Sequence, residues 1–134
     1  MINLKKTLMI IMLPVFFLLD HSTSLAVEVS QKQLLSLMEQ ADKPLLLDVR
    51  SAEEYAQGHI PGAINIPHTE INSRLNELLA YQHQQIVLYC RSGRRVDIAT
   101  TALLKQGFSQ LDHLTGDFNG WQASDLPQVK RSVK

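Results

Sequence analysis

One cysteine cannot form an internal disulfide, and this chain of 134 residues has only one, Cys90. A disulfide-stapled scaffold is therefore excluded. A self-contained disulfide oxidoreductase is disfavoured too, because it needs a second, resolving cysteine. Excess charge of one sign is also missing: 13 Lys and Arg stand against 13 Asp and Glu. That balance does not suit a nucleic-acid binder. No apolar run reaches the roughly 20 residues that a spanning helix needs. His68, His83 and His113 show no metal-ligand spacing with carboxylates or with the cysteine. Internal repeats, low-complexity tracts and interdomain linkers are absent as well.

What is present begins with a leader. Lys5 and Lys6 precede an apolar stretch from Leu8 to Leu19, interrupted only by Pro14. Ser24-Leu25-Ala26 then supplies the small residues that a signal peptidase selects. Residues 1–26 are expected to be a secretory signal peptide, cut after Ala26. The alternative is an uncleaved anchor, for which an apolar run of about a dozen residues is short. No cysteine lies near the cut, so a lipid anchor is not supported, and no stable membrane association is expected after cleavage. Cleavage removes Lys5, Lys6 and Asp20, which leaves 11 basic and 12 acidic residues and a formal charge of −1. In an exported chain a leftover thiol is a reactive group or an intermolecular pairing site. The bland alternative is a buried, inert cysteine.

The surroundings of Cys90 favour reactivity. Ile86-Val87-Leu88-Tyr89 is an apolar run, Arg91-Ser92-Gly93-Arg94-Arg95 follows the cysteine, and Val96 to Gln106 has a helical pattern. This order reads as strand, loop, helix. The loop's N–H groups are expected to point inward, toward the helix end that carries partial positive charge. They and the arginines favour an anionic sulfur over a neutral one, so the thiol is expected to ionise more readily than a free one. Arg91, Arg94 and Arg95 beside the only thiol also imply a small anionic ligand. Gly93 permits the turn. Ser92 is either a hydroxyl donor or a plain loop residue.

Strand and helix candidates alternate along the rest of the mature chain. Val27 to Val29 is a short strand, and Ser30 caps a helix through Met38. Leu45-Leu46-Leu47-Asp48-Val49 reads as a buried parallel strand. Ser51-Ala52-Glu53-Glu54 is a capping box opening a short helix. Ala63 to Ile66 is a strand. Thr69 to Ala80 is expected to be one amphipathic helix, with Ile71, Leu75, Leu78 and Leu79 on its apolar side. Gly107 ends the helix after Cys90. Leu111 to Leu114 is the last strand, followed by a turn and a short helix from Gly116 to Trp121. The pattern predicts an α/β domain over residues 27–127, with a central, mostly parallel five-stranded sheet and helices on both faces. Residues 128–134 read as a polar C-terminal tail. Ligands of such sheets sit outside the C-terminal strand ends, where Asp48-Val49-Arg50 and Cys90 both emerge.

These motifs together resemble the rhodanese-type sulfurtransferase family over nearly the whole mature region. Leu46 to Arg50, Glu53-Glu54-Tyr55 and Gly58 to Pro67 match its first signature, and Cys90 to Arg95 is similar to its active-site loop. Thr115 to Trp121 approximates the closing signature, in which two glycines usually adjoin. Here the second is Asp117, and a glycine expected before the final Pro127 is Asp125. Both departures are distant in sequence from the thiol. With the leader, the likeness is to single-domain periplasmic rhodaneses of the phage-shock type.

The resemblance implies that Cys90 takes the outer sulfur of thiosulfate or a similar donor as a persulfide. A thiophilic acceptor, cyanide or a thiol, then removes it. It also implies no cofactor and no metal, with Arg91, Ser92, Gly93, Arg94 and Arg95 as the substrate-binding loop. Asp48 and Arg50 are implied to fix the fold near the site. His59 is read as a structural turn residue, Trp121 as core, and the protein as a monomer. Three rival readings stand beside this one. The first is a phosphatase or arsenate reductase, which needs Arg six positions after Cys, where this chain has Val96. The second is a persulfide carrier with little turnover, and the third a binding module that makes no use of its thiol.

Overall fold

The computed structural model describes residues 26–131. The leader read over residues 1–26 lies outside the described residues except for Ala26. Five strands form one sheet: β1 (Val27–Val29), β2 (Leu45–Asp48), β3 (Ile64–Asn65), β4 (Ile86–Tyr89) and β5 (Leu111–Leu114). Their order is β1-β5-β4-β2-β3, and every pairing is parallel. The sheet is thus wholly rather than mostly parallel. Two of its three inner strands, β2 and β4, are buried at every position, which is why their sequences are apolar without alternation.

Side chains still alternate between the two faces. Leu45, Leu47, Val49, Ile86, Leu88 and Cys90 join one core with Val96, Ala99 and Leu103 of α3 (Arg94–Lys105). Leu46, Val87 and Tyr89 join the other core, with Leu34 of α1 (Gln31–Met38) and with Phe118 and Trp121 of α4 (Asp117–Ala123). Both faces are therefore covered by helices. None among the described residues is long and apolar enough to cross a membrane. Ser30 and Ser51 each form a full capping box, the first opening α1 with Gln33, the second opening α2 (Ala52–Gln57) with Glu54.

One expected element is not formed. In place of a helix over Thr69–Ala80 the chain makes three 3-10 turns, His68–Glu70, Leu75–Glu77 and Leu79–Tyr81. Asn72, Ser73 and Asn76 are weak helix formers, and the Ser73 hydroxyl donates to the Glu70 carbonyl at 3.1 Å, competing with the backbone. Ile71 and Leu78 are nevertheless fully buried, so the apolar spacing expresses packing rather than helix. The polar tail is tied down as far as Arg131. His59 and Val129 exchange both backbone bonds, and Arg131 N–H donates to the Ala56 carbonyl at 3.1 Å.

Asp48 and Arg50 form a buried ion pair at the end of β2. Arg50 Nη2 donates to Asp48 Oδ2 at 2.6 Å and to the Gly58 carbonyl at 2.7 Å. Its guanidinium also lies over the Phe118 ring, 4.0 Å from the centroid. One residue thereby joins β2, the Gly58 turn and α4. Arg50→Met leaves the Asp48 carboxylate buried without its partner, and is expected to cost about 3–5 kcal/mol in urea unfolding. A loss below about 1 kcal/mol would show that the pair does not hold these elements together.

Candidate active site at the Cys90 loop

Cys90 emerges from β4 with 1% of its surface exposed. The loop folds back so that Gly93 N–H donates to Cys90 Sγ at 3.0 Å. Val96 N–H closes the turn on the Gly93 carbonyl at 3.1 Å. No side chain caps the start of α3, so its first N–H groups face the loop without a side-chain acceptor. Gly93 has φ +115°, and a Cβ there would lie 3.3 Å from Asp117 Oδ2 and 3.4 Å from His113 Cε1. Conformation and space both call for glycine at this position.

The loop is clamped from the exit of the neighbouring strand β5. Phe118 N–H donates to the Cys90 carbonyl at 3.0 Å, and Asn119 N–H to the Arg91 carbonyl at 3.2 Å. In return Cys90 N–H donates to Asp117 Oδ1 at 2.9 Å. Asp117 is buried, with φ +53°. Asp125 has φ +52°, so both aspartates that replace an expected glycine adopt the left-handed conformation. His113 Nε2 lies 3.0 Å from Asp117 Oδ2, and its Nδ1 lies 3.0 Å from Glu28 Oε1. Asp117 chiefly, against burial and with help from Glu28 and Asp97, raises the pH at which His113 loses its proton.

The loop arginines divide into two kinds. Arg95 makes a two-point bond to Glu54, at 2.6 Å and 2.9 Å, and the Cys90 sulfur adds a smaller attraction to the same guanidinium. Arg91, Ser92 and Arg94 are exposed. Arg91 also lines a polar cleft of about 230 Å³ with Arg50, Glu54, Gln57, Asn119 and Gln122. Val96, six positions after the cysteine, is buried in the core and offers nothing to a tetrahedral oxyanion. His59 stacks on Tyr55, with ring centroids 3.7 Å apart, and Trp121 is core, its Nε1–H donating to the Pro127 carbonyl at 2.8 Å.

Three residues enter the site that motif reading leaves out. Glu54 is legible as a helix cap but not as the anchor of Arg95. Asp117 and His113 look remote because they are 27 and 23 positions from Cys90. The available signal was an aspartate at a glycine position just past a strand adjacent to β4.

The sequence pattern of the Rhodanese-like domain matches residues 30–124. The chain belongs to the rhodanese-like domain family. Among its relatives, a "Sulfurtransferase" of Allochromatium vinosum is 33% identical over 102 residues, covering 76% of this chain and 94% of that protein. YrkF of Bacillus subtilis, named as a proposed sulfur carrier protein, is 33% identical over 105 residues. That match covers 76% of this chain and 56% of the relative, so the chain spans little more than half of YrkF. A full-length protein from Lactobacillus plantarum superposes with a TM-score of 0.68 at 28% identity, over 78% of this rhodanese-like chain and 88% of that one.

Glu54 gives the site a measurable acid limit. The Arg95 hydrogen bonds lower its carboxyl from the usual 4.5 to about 2, with partial burial opposing and the Ser51 N–H assisting. A depressed carboxyl stabilises the fold above its unfolded value and loses that contribution as pH falls toward the folded one. Stability in urea is therefore expected to drop between pH 4.5 and 2 more steeply for the native chain than for Glu54→Gln. Parallel curves would contradict the assignment.

Proposed function

We propose that this protein is a sulfurtransferase that moves a sulfane sulfur through a Cys90 persulfide. The observation that carries the reading is the Gly93 N–H donated to Cys90 Sγ at 3.0 Å, at the mouth of an uncapped helix. Amide donors fixed around a sulfur stabilise an anion there, whether thiolate or persulfide. The sulfurtransferase named among the relatives supports the same chemistry.

With thiosulfate as donor, the Cys90 thiolate attacks the outer sulfur. The sulfur–sulfur bond of thiosulfate breaks, and sulfite departs with the electron pair. The terminal sulfur of the persulfide then carries the negative charge, beside the Gly93 amide and the uncapped start of α3. Cyanide or a thiolate attacks that sulfur and regenerates the Cys90 thiolate. No electrons are gained or lost by the protein over the cycle. Exposed Arg91 and Arg94 are the cations proposed to meet the donor's oxygens, while Arg95 is held on Glu54.

The proposal includes export, for which Lys5, Lys6, the apolar stretch and Ser24-Leu25-Ala26 provide the support. A periplasmic thiosulfate sulfurtransferase acting as a monomer is the full form of the reading. A carrier with little turnover is the second reading, favoured by the name of the Bacillus relative and by the near-complete burial of Cys90. Steady-state turnover against stoichiometric loading separates the two.

Thiosulfate:cyanide transfer and phosphate-ester hydrolysis measured on one sample test the reaction class. Transfer without hydrolysis is expected, and Cys90→Ser is expected to abolish it while leaving Tm almost unchanged. Phosphate release with no thiocyanate would overturn the proposal. Arg94→Ala is expected to raise KM for thiosulfate more than for a neutral donor; equal effects would count against anion binding at that residue.

A further inference from the structure

The imidazole of His113 sits between two carboxylates, one at each ring nitrogen. Nδ1 lies 3.0 Å from Glu28 Oε1, and Nε2 lies 3.1 Å and 3.0 Å from the two oxygens of Asp117. Nε2 is hydrogen-bonded to Asp117 while Nδ1 stands at ion-pair distance from Glu28, and two carboxylates flanking one ring favour its charged form, the imidazolium. Asp117 in turn accepts the backbone N–H of Cys90 at 2.9 Å. The same pair packs against Gly93, the residue whose N–H meets the sulfur. Thr115 Oγ1 donates to the remaining Glu28 oxygen at 2.8 Å and completes the chain. A glycine at position 117, the residue the closing signature calls for, could meet neither His113 nor the Cys90 amide with a side chain.

We infer that His113 and Asp117 are positioning residues for sulfur transfer: their ion pair anchors the Cys90 loop through the Cys90 amide, and transfer weakens when His113 gives up its proton. The inference rests on the proposed role of Cys90. When the imidazolium loses its proton to solvent, one ring nitrogen becomes an acceptor and one of the two contacts is lost. The Asp117 carboxylate is then buried beside the loop without its counter-charge, and a like charge disfavours an anionic sulfur above it. Three carboxylates face the imidazole from three elements: Asp117 at the start of α4, Glu28 on β1 and, further off, Asp97 on α3. Each favours the charged ring, and burial opposes them. The contribution is therefore complete below the ring's ordinary value of 6.5 and is lost as pH rises through the higher value that His113 has here.

Two measurements test this. In the Cys90→Ser protein no thiol titrates, and the backbone amide at position 90 is expected to shift in NMR with the midpoint of the His113 ring signals. Adding Asp117→Asn is expected to lower the ring midpoint and to remove most of the amide's response. In the native chain, single-turnover sulfur uptake from thiosulfate is expected to fall about tenfold above the His113 midpoint, as expected for one uncompensated nearby charge. In Asp117→Gly that alkaline fall is expected to disappear, whatever the absolute rate. An amide at position 90 that ignores the His113 titration overturns the inference, as does an unchanged alkaline fall in Asp117→Gly. If the native chain takes up no sulfur at any pH, the proposed function fails, and the amide titration still decides whether the pair anchors the loop.

Discussion

The Cys90 turn of this protein is held by hydrogen bonds from a different strand's exit. Parallel pairing of β4 with β5 sends both chains out at the same edge of the sheet, with Leu88 opposite His113. From there two amides of α4 bind the Cys90 and Arg91 carbonyls, and Asp117 takes the Cys90 amide. Each neutral bond of this kind is worth about 1 kcal/mol net, and one to a charged group about 1.5–3 kcal/mol. Together they outweigh the cost of about 1–2 kcal/mol for holding Asp117 in the left-handed region. A slip of one residue between the strands would turn His113 to the opposite face and undo the arrangement.

Charge around the sulfur is divided by function. Arg95 is fixed by Glu54, and Glu54 is itself fixed by the N-terminus of α2, where its carboxylate accepts the Ser51 N–H at 3.1 Å. A cation held on a rigid element loses little entropy when a charge develops beside it. Arg91 and Arg94 have no ion-pair partner among the described residues and remain exposed, as the proposed binding of a donor's oxygens requires. Beneath the loop the Asp117 carboxylate is balanced by His113, so a buried negative charge close to the Cys90 loop is tolerated.

Much of this was legible in the sequence because it is local. The apolar runs at Leu45 and Ile86, the capping boxes at Ser30 and Ser51, and the loop from Cys90 to Arg95 each follow from short-range rules, and they yield the α/β sheet. The stretch from Thr69 to Ala80 misleads because burial of Ile71 and Leu78 shows the same spacing whether the backbone is helical or made of 3-10 turns. The link from Glu54 to Arg95 spans 41 positions and the link from Cys90 to Asp117 spans 27. Both depend on strand order, which periodicity does not encode. The aspartate in place of the second closing glycine was visible, but its consequence became readable only once β5 stood beside β4.

The proposed function requires Cys90 to hold a transferable sulfur as an anion beside the Gly93 amide and the uncapped start of α3. Intact-mass measurement of the protein after thiosulfate treatment tests this. A gain of one sulfur atom per chain is expected, absent in Cys90→Ser and reversed by cyanide. An unchanged mass in the native chain, or a sulfur gained equally by Cys90→Ser, would contradict it.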